Sequence, residues 1–299
     1  MNLEDDLLTT VVGSYPAIPS KKTLSSSYFS DKDPFLESIK DAVDAQLDAG
    51  IDLISDGQTR GGMIDIFSRG LRGYRIKEKV EIVQDIDFTS PITLDDQIEV
   101  KKMISDDVGL KGIITGPFTL VKNCINNYYE DEKDAVMDTA EALSKEAGYL
   151  SDICDVVQVD EPFLSIEYED YAKEAIEMIL DVEIPTALHV CGDTSDIIEN
   201  LIEYKVDILD HEFTKNPSLF DIYRDLDFPQ RLAPGVISTS STVENVNEIT
   251  DRINKAVDYF GIKTIIDPDC GFRNLPPKIA FEKLKNMVEA RDVVLNERS

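Results

Sequence analysis

The sequence is poor in basic residues: 30 Lys and Arg stand against 59 Asp and Glu, a formal charge of −29. So acidic a chain repels phosphate backbones and anionic bilayers, which argues against nucleic acid or a membrane surface as partner. No apolar run approaches the ~20 residues a bilayer span needs. The opening Met-Asn-Leu-Glu-Asp-Asp lacks the basic-then-apolar pattern of a secretion signal. Cysteine is scarce as well: Cys124, Cys154, Cys191 and Cys270 show no disulfide-framework spacing. These absences point to a cytoplasmic protein with reduced thiols. The surplus of acid reads as a solvated surface and says nothing about fold.

What is present is a regular alternation. Short β-rich runs are expected at 8–12, 51–54, 112–114, 156–159, 186–190, 208–209, 232–237 and 264–266. Helical spacing fills 34–49, 133–147, 168–180, 194–204, 243–260 and 277–295. Eight strands alternating with helices predict an α/β chain folded as a (β/α)8 TIM barrel. Alternation at Tyr74, Ile76, Val80 and Ile82 marks Arg72–Thr89 as a hairpin or excursion inserted before the third strand. No linker or repeat interrupts the chain, so residues 1–299 are expected to form a single catalytic barrel domain.

In such a barrel the reactive residues gather at the C-terminal ends of the strands. Here those ends carry Ser14, Asp56-Gly57-Gln58, Thr115-Gly116, Asp160-Glu161, His189-x-Cys191, Asp210-His211-Glu212, Ser238-Thr239-Ser240 and Asp269-Cys270. Polar groups at packing positions would be destabilising, so their concentration at one rim speaks for a site. His189 and Cys191 share a face of one strand by the period-2 rule. With Glu212 and Cys270 they could close a four-ligand zinc site, since thiolate, imidazole and carboxylate are all zinc donors. Free cysteines are also commonly buried without chemistry, and no Cys-x-x-Cys pair reinforces the motif. Cys124 and Cys154 read as core or surface thiols without a role. His211 can be read as a partner of Glu212 or as a rim residue, and Arg60 as a carboxylate contact or a surface charge.

The motifs Val12-Gly13-Ser14-Tyr15-Pro16, Ile114-Thr115-Gly116-Pro117-Phe118-Thr119, Gln158-Val159-Asp160-Glu161-Pro162, His189-Val190-Cys191 and Asp267-Pro268-Asp269-Cys270-Gly271, in this order, resemble the catalytic barrel of cobalamin-independent methionine synthase. The resemblance implies Zn2+ held by His189, Cys191, Glu212 and Cys270. It also implies homocysteine as methyl acceptor, gripped by Ser14 (carboxylate side) and Asp160 (amino group), with Gly13 and Gln58 also substrate-binding and Asp160 and Glu161 as the catalytic residues.

Three departures bear on the donor. Full-length members carry an N-terminal half that helps bind folate, absent here; Gln58 stands where they have a carboxylate; and Ser240-Ser241 stands where they have His-Ser. A serine is a poor proton donor to a folate leaving group. The expected donor is therefore methylcobalamin or another methylcorrinoid, as in the short archaeal relatives this sequence resembles, with a corrinoid protein as a candidate partner. His189-Val190-Cys191-Gly192-Asp193-Thr194 is also similar to the uroporphyrinogen decarboxylase superfamily, which contains methylcobamide:coenzyme M methyltransferases. Such a thiol methyltransferase is the alternative function. A non-catalytic zinc-binding barrel and a metal-free decarboxylase also stay open; porphyrin carboxylates would want a basic cleft, and this chain is acidic.

Overall fold

The computed structural model describes residues 3–27 and 33–298. In chain order its elements begin α1 (Lys21–Ser27), α2 (Leu36–Ala49), β1 (Leu53–Ile54), α3 (Met63–Gly70), β2 (Leu71–Ile76), β3 (Val80–Phe88) and α4 (Leu94–Lys101). There follow β4 (Gly109–Thr115), α5 (Pro117–Lys122), β5 (Ile125–Asn126), α6 (Glu132–Ser151), β6 (Val156–Asp160) and α7 (Asp170–Ile179). The last third holds β7 (Thr186–Val190), α8 (Ile198–Leu201), β8 (Ile208–His211), α9 (Leu219–Arg224), β9 (Arg231–Ile237), α10 (Val246–Phe260), β10 (Asp267–Pro268) and α11 (Pro277–Arg298).

Seven strands pair in parallel in the order β1-β4-β6-β7-β8-β9-β10. The segment before α1 joins the two edges: Thr10 bridges Leu53 and Thr9 bridges Ile266. Thr10 N donates to Ile266 O at 2.8 Å and Leu53 N to Thr9 O at 3.0 Å. The expected strand at 8–12 is thus present only as two single bridges, yet they suffice to curl the sheet into the (β/α)8 form. Strands such as β4, β6 and β7 are buried throughout, as expected where one face meets the barrel interior and the other the helices.

The excursion is a β2–β3 antiparallel hairpin, as its alternation implied, and β5 adds a third, parallel strand to it. α10 begins with a capping box: Asn245 Oδ1 accepts from Glu248 N at 3.0 Å, and Glu248 Oε2 accepts from Asn245 N. Other elements depart from expectation. The helix expected over 194–204 shrinks to α8. The final strand falls at Asp267–Pro268 rather than 264–266. The short α1, α3, α4, α5 and α9 lie outside the expected helices.

Candidate active site

Alternation along each strand builds the barrel interior in layers. Leu53, Val156, Ala187, Ile208, Ala233 and Ile265 form a small apolar cluster of their own, apart from the main core under the helices. Two residues further along come polar groups: Gln158 after Val156, His189 after Ala187, Asp210 after Ile208 and Asp267 after Ile265. Another step brings Asp160 and Cys191 to the C-terminal rim. Period 2 therefore delivers the rim chemistry and a buried polar layer beneath it.

At the rim, His189 Nε2 lies 2.8 Å from Cys191 Sγ, which lies 3.0 Å from Cys270 Sγ. The three donor atoms fall within 4.8 Å of one another, and both thiols are free. Below them, Asp210 Oδ2 sits 2.9 Å from His189 Nδ1. The contact pairs a buried carboxylate with the imidazole. Burial opposes a charge on His189, but Asp210 and the Cys191 sulfur outweigh it and raise its pKa well above the ordinary value. The thiols diverge: the hydrogen bond with Cys191 holds Cys270 low, and that contact together with burial pushes Cys191 up. One imidazole nitrogen and two sulfurs, with Asp210 engaging the other ring nitrogen, are a donor set that zinc accepts.

The cluster opens on a cavity of about 300 Å³ whose wall also includes Ser14, Gln58 and Asp160. Asp160 is reached by a chain of hydrogen bonds from the barrel interior. Lys111 Nζ donates to Gln158 Oε1 at 2.6 Å; Gln158 Nε2 donates to Asp160 Oδ1 at 2.7 Å and to Val12 O at 2.8 Å. Burial raises the Asp160 carboxyl to about 6, against the pull of His189, Gln158 and Lys111.

A family model described as the cobalamin-independent synthase catalytic domain matches residues 7–292. The chain belongs to this family. A relative named methionine synthase, from Methanocaldococcus jannaschii, is 37% identical over 96% of this chain and 99% of its own length. Its namesake from Methanothermobacter marburgensis is 40% identical over 95% and 99%. Among solved structures, a B12-independent methionine synthase from a Shewanella species, in complex with selenomethionine, is similar in fold. Its TM-score is 0.82 at 19% identity, covering 98% of this chain and 99% of that one. A methyltransferase from Methanosarcina mazei follows at 0.70 and 15% identity, covering 97% and 95%.

Gln58 has φ of 46°, a left-handed conformation rare outside glycine, and its backbone N–H donates to Asp56 Oδ1 at 3.0 Å. Gly13 is behind the wall, its carbonyl accepting from Ser55 Oγ at 2.7 Å. The Glu161 carboxylate points to the start of α5, accepting from Thr119 N at 2.6 Å and Phe118 N at 3.2 Å, and is absent from the cavity wall. Gly116 makes room for it, since a Cβ there would lie 1.9 Å from Glu161 Oε2. Glu212 is buried with its Oε2 3.1 Å from Lys215 Nζ and is not among the three clustered donors.

His211 faces outward into the helix layer, stacked on Tyr223 at 5.9 Å. Burial lowers its pKa to about 4, which leaves it neutral. Arg60 is tied to Asp96 and Asp33 at 2.5 Å. Burial pushes the Cys124 thiol up to about 12 and raises Cys154 further. Ser240 and Ser241 are exposed, and Ser240 Oγ meets Ser238 Oγ at 2.9 Å. Arg273 and Asn274, which line the cavity, and the Lys111–Gln158 chain and Asp210 contact escaped the sequence reading. Period 2 from Asp160 and His189 would have found Gln158 and a partner layer; no local pattern marks Arg273. No described helix is long and apolar enough to cross a membrane.

Proposed function

We propose that residues 1–299 act as one catalytic barrel that transfers a methyl group to the thiol of homocysteine, making methionine. The observation that carries this is the His189–Cys191–Cys270 cluster sharing one cavity with Asp160, in a chain of this family. His189, Cys191 and Cys270 would hold zinc, with Glu212 as fourth ligand once released from Lys215. Bound zinc would supply the Lewis acidity that keeps an acceptor thiol ionised near neutral pH, where a free thiol (pKa about 8.5) is mostly protonated.

The chain's own residues orient the acceptor. Asp160, held by Gln158, pairs with the ammonium group; Ser14, backed by Gly13, meets the carboxylate side; Gln58 completes the wall. Glu161 acts through the backbone, fixing α5 beside the rim. The thiolate then attacks the methyl carbon of a methylcorrinoid. The carbon–sulfur bond forms as the carbon–cobalt bond breaks, and both electrons leave with cobalt, so no proton is called for. Folate would leave needing a proton, and the exposed Ser240 and Ser241 are unsuited to giving one. A corrinoid protein is the fitting carrier. The competing acceptor is coenzyme M, which has a sulfonate and no ammonium; Asp160 disfavours it.

Metal analysis, then rates with methylcobalamin and methyltetrahydrofolate against homocysteine and coenzyme M at equal zinc occupancy, test the proposal. Methylcobalamin with homocysteine should be fastest. Faster turnover with folate overturns the donor, and faster methylation of coenzyme M promotes that enzyme type. A protein without metal or methyl transfer is a non-catalytic barrel.

A further inference from the structure

Arg273 is a half-buried arginine in the cavity wall, in a chain with 59 acidic residues, and it has no ion pair among the described residues. Its one hydrogen bond there runs from Nη1 to Gln58 O at 3.0 Å. That contact fixes the left-handed turn at Gln58 and leaves the other guanidinium N–H groups unengaged. Arg60, nearby in sequence, is the opposite case: Asp33 and Asp96 saturate it. A guanidinium is always charged and matches a carboxylate in shape, so an unpaired one in a small cavity is a place for an anion.

The surroundings say which anion. Phe272 N donates to Ser14 O at 2.7 Å, and Gly271 is so close that a Cβ would lie 2.1 Å from Ser14 Oγ. Ser14 and Arg273 thus belong to one stitched wall. Asp160 reaches the same cavity from β6 through Gln158. One carboxylate, one guanidinium and a pair of thiols around about 300 Å³ complement a dipolar α-amino acid with a sulfur side chain. Resting on the acceptor reading above, we propose that Arg273 forms the subsite for the acceptor's α-carboxylate and sets the preference for an amino acid over a simple aminothiol.

Calorimetry on zinc-loaded protein tests this with homocysteine and with 3-aminopropane-1-thiol, which is homocysteine without its carboxylate. The wild type should bind homocysteine about tenfold or more tightly, the scale of a charge-assisted hydrogen-bonded pair. Arg273→Gln should bring the ratio close to one, and Arg273→Lys should restore part of it. If Arg273→Gln preserves the wild-type preference, or weakens both thiols equally, the subsite is wrong and the acceptor reading stands. The subsite is also overturned if the variant raises only the KM for methylcobalamin, since the arginine then serves the donor. If the wild type binds neither thiol, the acceptor reading fails and this inference with it. Circular dichroism of both variants shows whether a lost preference is merely lost folding; Arg273→Lys, with its charge kept, decides in that event.

Discussion

Asp210 places a carboxylate oxygen 2.9 Å from the nitrogen of His189 that faces away from the cysteines. The two residues sit side by side on β7 and β8, paired in register. Asp210 is itself deeply buried, facing both His189 and the Asp267 carboxyl. By engaging Nδ1 it leaves Nε2 as the donor directed to the rim. Asp210→Asn should weaken zinc binding about 10–100-fold while the fold persists. Competition with a chelator measures the affinity, and an unchanged constant would dismiss the role.

If the proposed site takes one zinc per chain, Cys191→Ser and Cys270→Ser should each lose it without unfolding, because both thiols are at the rim and neither is packed in the main core. Bound metal and far-UV circular dichroism on each variant decide it. Full zinc retention in both would remove the site.

Asp160→Asn should raise the homocysteine KM about tenfold or more, since an ionic hydrogen bond is replaced by a neutral one, with zinc content little altered. Gln158→Leu, which cuts the chain behind Asp160, should shift KM the same way by less. An unaltered KM in Asp160→Asn would refute the ammonium contact.

Lys111 is buried and compensates Asp160, Asp210 and Asp267. Lys111→Met leaves those carboxyls without their cation and should destabilise the fold by about 3 kcal/mol. Denaturant unfolding reads this directly; a loss below experimental error would show that the carboxyls simply take up protons.

Burial raises the Glu161 carboxyl from 4.5 to about 8, against its hydrogen bonds from Thr119 and Phe118. A carboxyl raised on folding stabilises the native state below its unfolded value, and that stability is lost as pH climbs through the folded value. Unfolding free energy should therefore fall between about pH 4.5 and 8, by at most about 1.4 kcal/mol per unit from this group. Glu161→Gln should flatten the slope. Urea titrations at several pH values would expose a variant with the wild-type slope, and the assignment would be wrong.

The barrel was legible because its strands are short buried runs and its polar motifs recur at their ends. The hairpin at β2–β3 showed through its alternation. What stayed hidden was tertiary. The acidic, weakly periodic Leu-Asp-Asp-Gln-Ile-Glu-Val-Lys of α4 becomes a helix by packing beside the barrel, and Pro268 shortens the last strand to a two-residue pairing. In the site, His189, Cys191 and Cys270 were readable as donor types at strand ends. Glu161 was not readable in its capping position, because the α5 amides that claim it lie 42 residues away or more. Arg273 follows the last motif in an irregular turn, where no periodicity tells which way a side chain points.

The 3.0 Å separation of Cys191 and Cys270 has a redox consequence. With Cys270 held toward thiolate, the pair is poised for oxidation by dioxygen whenever no metal occupies the donors. Dioxygen would take two electrons and, with the Cys191 proton and one from solvent, leave as hydrogen peroxide, while a sulfur–sulfur bond consumes both sulfurs at once. Protein purified in air without zinc should lose two titratable thiols and its capacity to take up metal, and dithiothreitol should restore both. Bound metal would then shield its own ligands from oxidation by occupying both sulfurs.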